Sequence, residues 1–471
     1  SAAKWAAVCA TLSSALDLLE HCLERAETDL YDSCRSGLAH GVLLALRYLV
    51  EDVPWSEGVQ QGYAAELRGL CGRMRGGLLQ ATRVAMWAVV QQDELNHAAS
   101  EADLIDEGLL PGGTALPEDA ALGTRTQVVL TGCWLTVKEV SLLTGALGRF
   151  VPLPGGQSPS SGQAVPEGGE VLFREDLEAL AENSLKIMLQ VKHNGTVEKS
   201  RFGATELVAG LLRSSKPDLS SLPASWVEAL VERATQPLQS LNDISRRSSG
   251  LPFLLSAIAH GEPHGVPRHL LAKGMRMFLD IAAGGPEGDT GLDDLRPAPR
   301  VQALHILFRN FLDADLALDT SPFYEEGMEL AVRLFKDGHW AVRNAASQLF
   351  SALVIRMIGF KNPGSGASLR KGLTTVEFFR RYPRLLPFLR AELLAASRKL
   401  LEEKALEGVE GGGTSVKAAA AVDASLYPIL ALLSRLRPGI HETGTSLEGG
   451  GAEADPSLQN SPGSLLQAVR E

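Results

Sequence analysis

Cysteine is scarce: Cys9, Cys22, Cys34, Cys71 and Cys133 are the five in 471 residues, and none follows position 133. They are odd in number, widely spaced and never arranged as C-x-x-C, which excludes a dense disulfide scaffold. The reading from spacing alone is buried, reduced thiols in a reducing compartment, and a cytoplasmic location is expected. Uninterrupted apolar runs of about 18 residues are missing, so no transmembrane segment is expected. Alternating, strand-like stretches are missing too, and with them the strand, Gly-rich turn and helix that hold a phosphate or ribose in α/β enzymes. The nearest approach, Gly364-Ser-Gly366-Ala-Ser-Leu-Arg370-Lys371, has neither G-x-G-x-x-G spacing nor a Gly-Lys-Ser/Thr ending, and it reads as a loop. There is no G-x-S-x-G. The chain starts Ser1-Ala-Ala-Lys-Trp5 without Met or a leader pattern, and is read as a fragment.

Positive charge is short overall, with 45 Lys+Arg against 56 Asp+Glu and a net charge of −11. A uniformly basic nucleic-acid binder is therefore excluded, but a local basic surface is not. Residues 1–120 hold 8 Lys/Arg and 18 Asp/Glu, whereas residues 333–400 hold 13 and 3. The basic block includes Arg356, Lys361, Arg370, Lys371, Arg380, Arg381, Arg384 and Arg390. It suits phosphate contact; an exposed basic face, or one that docks a protein, is the plainer alternative.

Apolar residues make up 45 % and recur at three- and four-residue spacing nearly everywhere. Leu38, Val42, Ala45, Leu46 and Leu49 are one set; Ala303, Leu304, Leu307, Phe308 and Phe311 are another. That period predicts amphipathic helices. Candidates cover about 4–26, 33–50, 60–98, 124–150, 171–192, 197–213, 225–238, 243–260, 267–283, 299–313, 322–336, 339–359, 374–404 and 416–436. Gly/Pro/Ser stretches separate them, and residues 441–464 form a polar, Gly-rich tail. Helix pairs over more than 400 residues predict an all-α fold, an α-solenoid of HEAT or armadillo type. The expected parts are 1–265, a helical continuation over 266–437, and a disordered polar tail over 438–471.

Three segments gather polar groups. His260-Gly-Glu262-Pro-His264 with His269 is interrupted by Gly261 and Pro263, so it is a turn and lacks the i, i+4 placement of a helical metal site; no metal is expected. Ser245-Arg-Arg247-Ser-Ser-Gly250-Leu-Pro252-Phe253 puts two arginines before a Pro-opened apolar run. It is either a tight packing site or an Arg fork offered to a carboxylate or phosphate. His339-Trp340-Ala-Val-Arg343-Asn344-Ala-Ala-Ser347 places Trp340, Arg343 and Asn344 together on a helix. In HEAT-type repeats an arginine at this kind of position ties neighbouring repeats.

The last two segments also carry a family likeness. So do Tyr31-Asp-Ser-Cys-Arg-Ser-Gly37 with His40-Gly41, Thr131-Gly-Cys-Trp134 with Val137-Lys-Glu-Val140, and His193-Asn-Gly-Thr-Val-Glu198. Val301-Gln-Ala-Leu304 and Glu377-Phe-Phe with Tyr382-Pro383 fit as well. From about residue 15 to about residue 400 the chain resembles the thyroid adenoma-associated protein family. The resemblance implies a central domain of unknown function followed by helical repeats, cut from a longer protein. It implies a non-catalytic regulatory subunit without cofactor, partner to an FtsJ-like methyltransferase that places a 2′-O-methyl group on cytidine 32 in the tRNA anticodon loop. A calcium pump is the other partner that the resemblance implies, with a protein scaffold as the alternative function. Carried over by motif, the critical residues are Arg246, Arg247, Ser248, Gly250 and Pro252, then Trp340, Arg343 and Asn344. Ser249 departs from the Ala expected there. Arg380, Arg381 and Arg384 are added from charge alone, as tRNA contacts.

Overall fold

The computed structural model describes residues 2–36, 38–90, 117–157, 164–166, 168–191, 193–236, 250–284, 298–359, 372–407 and 426–437. Every regular element among them is helical; the β features are isolated bridges, Gln157 to Ala164 and Thr374 to Arg437. The helices used below are α1 (Ala2–Thr28), α2 (Leu30–Ser36), α3 (Leu38–Asp52), α4 (Ala64–Val90), α5 (Pro117–Phe150), α6 (Arg174–Gln190), α7 (Asn194–Leu212), α8 (Leu222–Thr235) and α9 (Leu251–Gly261). They continue with α10 (His269–Ala283), α11 (Ala298–Leu312), α12 (Tyr324–Leu334), α13 (Trp340–Ile358), α14 (Thr375–Arg381), α15 (Leu385–Glu407) and α16 (Leu426–Leu433). The described residues form two compact units, divided between Gly274 and Met275 within α10.

Unit 1 has two rows. Helices α1, α4 and α6 make one; α3, α5, α7 and α9 make the other, and the rows pack face to face. Within each pair of row neighbours the contacts keep a nearly constant offset. Arg73 of α4 reaches Asp17 and Glu20 of α1, and Arg83 reaches Glu27. Arg75 meets Asp176 of α6, and Thr82 accepts from Asn183. On the other row Ser141 meets Ser200, Arg149 meets Glu206, and Thr205 donates to the Ala257 carbonyl. Both members of each series advance together, so neighbours in a row run parallel. Parallel stacking of alternate helices is the construction of an α-solenoid. The apolar period supplies the core: Leu12, Leu16, Leu19 and Leu23 of α1 are at most 1 % exposed. Each such side chain contributes about 2 kcal/mol of burial.

Unit 2 repeats the scheme. Helix α12 packs on α13 and α15, and α11 on α13. Arg333 lies over Phe388 and Lys336 pairs with Glu392. Phe311 meets Tyr324 edge to face at 5.7 Å in the core. The helix expected over 374–404 is two helices, α14 and α15. Pro383 disfavours helical geometry at Tyr382, and Thr374 starts α14 with a capping box to Glu377. The stretch 438–471 lies outside the described residues.

Among the described residues, two helices are long and apolar enough to cross a membrane by length and composition, Ala2–Thr28 and Arg125–Phe150. Neither holds an uninterrupted apolar run, because scattered charges break the run without greatly lowering the average. In this fold those charges have partners: Asp17, Glu20 and Glu27 pair with α4, and buried Glu139 of α5 pairs with Arg47 of α3 and with Lys138.

Candidate partner-binding surfaces

Arg246, Arg247 and Ser248 lie outside the described residues, as do Lys361, Arg370 and Lys371. Gly250 and Pro252 are described, and both are packing positions. A Cβ at Gly250 would fall 1.7 Å from the Met188 carbonyl oxygen. Only glycine lets α9 start this close to α6. Pro252 is buried in the first turn of α9, where its missing N–H costs nothing. The neighbouring polar turn is also occupied. The Glu262 carboxylate accepts from the N–H groups of Leu270 and Leu271 at 2.8 and 3.0 Å, so it caps α10. Arg268 donates to the Ala259 carbonyl.

In unit 2, Trp340 and Asn344 are exposed, Trp340 by 58 %. Arg343 is half-buried. Its Nη1 donates to the carbonyls of Asp337 and Gly338 at 2.8 and 3.0 Å, so it fastens the turn before its own helix. The same turn is held from α11 by Arg300, which pairs with Asp337 at 2.7 Å. The arginine that links neighbouring helices is Arg356. Its guanidinium donates to the Phe311 and Leu312 carbonyls at the end of α11. Those carbonyls lack helical partners and carry the negative end of the helix dipole, so a cation satisfies both needs.

The rest of the basic block divides similarly. Arg384 pairs with Glu329 at 3.4 Å, and its main-chain N–H donates to Glu325. Arg333 and Lys336 pair with Glu329 and Glu392. Arg380 and Arg381 are exposed at the C-terminal end of α14. Buried Tyr382 beside them has its hydroxyl pushed up by burial, with Arg381 pulling the other way. Charge density was legible in the sequence; which cations serve the fold and which face solvent was not.

The family model described as "THADA/TRM732, DUF2428" matches residues 73–341. The chain belongs to this family. A second model, "Trm732, C-terminal TPR repeats", matches residues 343–471. TPR repeats, like HEAT and armadillo repeats, are stacked helices. The human relative, named tRNA (32-2'-O)-methyltransferase regulator THADA, is 33 % identical over 57 % of this chain and 13 % of its own length. The Drosophila melanogaster protein of the same name is 26 % identical over 92 % of this chain and 24 % of its own. The Schizosaccharomyces pombe tRNA (32-2'-O)-methyltransferase regulator trm732 is 24 % identical over 90 % and 25 %. The chain thus spans a quarter or less of these relatives. No solved structure matches.

Three of the segments that mark this THADA/TRM732 chain converge in unit 1. The Trp134 ring of α5 stacks on His193, with centroids 5.2 Å apart and planes 24° apart. His193 is the N-cap of α7, accepting from the Thr196 N–H. Lys138 lies 6.0 Å over Trp134, one turn along. Cys34, His40, Cys133 and Thr136 line one small cavity. Burial holds the pKa values of His40 and His193 down, and Lys138 adds to this at His40. Sequence reasoning used these residues as family marks and missed their meeting. The Trp134–Lys138 spacing was visible locally; contact between segments nearly a hundred residues apart leaves no local signature.

Proposed function

We propose that the protein of which this chain is a part is the non-catalytic regulatory subunit of a cytoplasmic tRNA 2′-O-methyltransferase. It holds tRNA for an FtsJ-like partner that methylates cytidine 32 in the anticodon loop. The carrying observation is the family match along the chain, with relatives named as regulators of that methyltransferase. The fold suits the role. Stacked helices offer a long surface, and a scaffold that fixes two partners accelerates their reaction by orientation alone. The S-adenosylmethionine would be held by the α/β partner. None of these relatives is named for a calcium pump, and no described feature favours that reading.

Within this proposal Arg380, Arg381 and exposed Trp340 and Asn344 are the RNA-facing candidates of unit 2, and Arg246 with Arg247, which precede Gly250 in the sequence, are the candidate fork. The test uses the full-length protein purified from cells, wild type and Arg246→Ala/Arg247→Ala. Co-purified methyltransferase and tRNA are scored, and methylation of nucleotide 32 is measured by mass spectrometry. The wild type retains both partners, and the double variant stays folded but loses methylation. Normal methylation in the variant removes the fork from the site, and a wild type that retains neither partner overturns the function.

A further inference from the structure

Five cysteines with no local pattern gave no reason to pair any two, yet the fold pairs one set. Cys34 sits on α2 and Cys133 on α5, and both line the same cavity. The main chain at Gly132 is pressed against Cys34: a Cβ there would lie 2.6 Å from both the Cβ and the Sγ of Cys34. Glycine at 132 is what allows the approach. The Cys34 thiol also lies 3.8 Å from the Val129 carbonyl, one turn before Cys133. Cys133 follows Gly132 directly in α5, so this close approach brings both thiols to the wall of the same small cavity.

We propose that Cys34 and Cys133 form a modification site, a dithiol that a hydroperoxide converts to a disulfide tying α2 to α5. The two sulfurs divide the chemistry. Cys34 is part exposed and Cys133 is buried. A hydrogen bond from the Cys133 thiol favours the Cys34 thiolate and lowers its pKa, while Cys133 is pushed up. The thiolate is the reacting form. With hydrogen peroxide as the hydroperoxide, the Cys34 sulfur attacks one peroxide oxygen; the O–O bond breaks, a sulfenic acid forms, and the released hydroxide takes a proton to become water. The Cys133 sulfur, losing its proton, then attacks the Cys34 sulfur. The S–O bond breaks, the S–S bond forms, and a second water leaves. Two thiols are oxidised and one peroxide is reduced. The other cysteines lack this setting: burial, then Glu66, pushes Cys9 up to about 11, and burial raises Cys22 and Cys71.

The test treats the full chain with hydrogen peroxide, blocks free thiols and maps peptides by mass spectrometry. The Cys34–Cys133 linked peptide is the main oxidised product, and dithiothreitol removes it. Cys133→Ser stops at a sulfenic acid on Cys34 that dimedone traps, and Cys34→Ser gives no product at either site. The linked wild type melts at a higher temperature than the reduced wild type. Wild-type mapping decides even if a serine variant misfolds. Cys34 driven to sulfinic acid without a link, a link to another cysteine, or Cys34 still reduced when glutathione added to the same sample is oxidised would each overturn the site. An equal or lower melting temperature would overturn the tie.

Discussion

In unit 1 the α5–α7 contact closes on glycine; in unit 2 the α11–α13 contact closes on arginine. A Cβ at Gly203 would sit 1.9 Å from the Ser141 carbonyl oxygen, and one at Gly210 would sit 2.3 Å from that of Gly148. Backbone meets backbone there, and the Ser141 and Ser200 hydroxyls bond at 2.9 Å within the seam. In unit 2 the Arg356 side chain spans the gap and ends on the carbonyls of α11. The same parallel stacking is thus reached by removing side chains in one place and by a long cationic one in another. Part of what the sequence shows as a basic surface is therefore internal carpentry.

The comparison can be broken most directly at Gly203. Gly203→Ala should destabilise unit 1 by more than about 3 kcal/mol in urea unfolding, because neither backbone can yield without parting the helices. A loss under about 1 kcal/mol would show that the seam is looser than described. Next in size is Arg356→Met, which keeps much of the apolar stem and drops two charge-assisted hydrogen bonds. It should cost about 2–3 kcal/mol, with Arg356→Lys recovering little because a point charge cannot fork to two carbonyls. A neutral Arg356→Met would return that residue to the pool of surface cations.

A smaller effect sharpens the contrast through pH. Folding lowers the pKa of His40 and His193 below the ordinary value of 6.5, chiefly by burial. The unfolded chain therefore binds protons more readily, and their contribution is present above pH 6.5 and lost as pH falls below it. Thermal melts should show stability falling from pH 7 to pH 5, with a shallower slope in His193→Gln. Identical slopes would mean that the ring is not held neutral. The smallest change expected is in Trp340→Ala, within about 0.5 kcal/mol of wild type because the ring is mostly in solvent. A larger loss in urea unfolding would make Trp340 a structural residue; a neutral variant that sheds tRNA would make it a contact.

The helical class was legible because burial of an amphipathic face imposes its period on the sequence, as in Leu12, Leu16, Leu19 and Leu23. Boundaries were less so: the candidate 33–50 is α2 and α3, and 374–404 breaks at Tyr382-Pro383. For the site, Trp340 and Asn344 are exposed, and Arg343 spends its Nη1 on the turn before its own helix, since a flexible side chain goes to the nearest unsatisfied carbonyl. The Gly250 segment read as either a packing site or an Arg fork, and at Gly250 itself the packing is what the fold shows; a sequence shows that room is needed without showing for what. The meeting of Cys34 with Cys133 depends on tertiary register alone.

The interval between stacked neighbours carries a mechanical consequence. In unit 1 the residues joining α1 to α4 lie 53–56 apart, those joining α5 to α7 57–59 apart, and those joining α7 to α9 52 apart. Stretched chain spans at most about 3.5 Å per residue, so freeing one such neighbour pays out roughly 190 Å. Pulled by its ends, this part of the molecule should lengthen in near-equal increments of that size, with one step about twice as long where α4 releases α6, whose joining residues lie 101 apart.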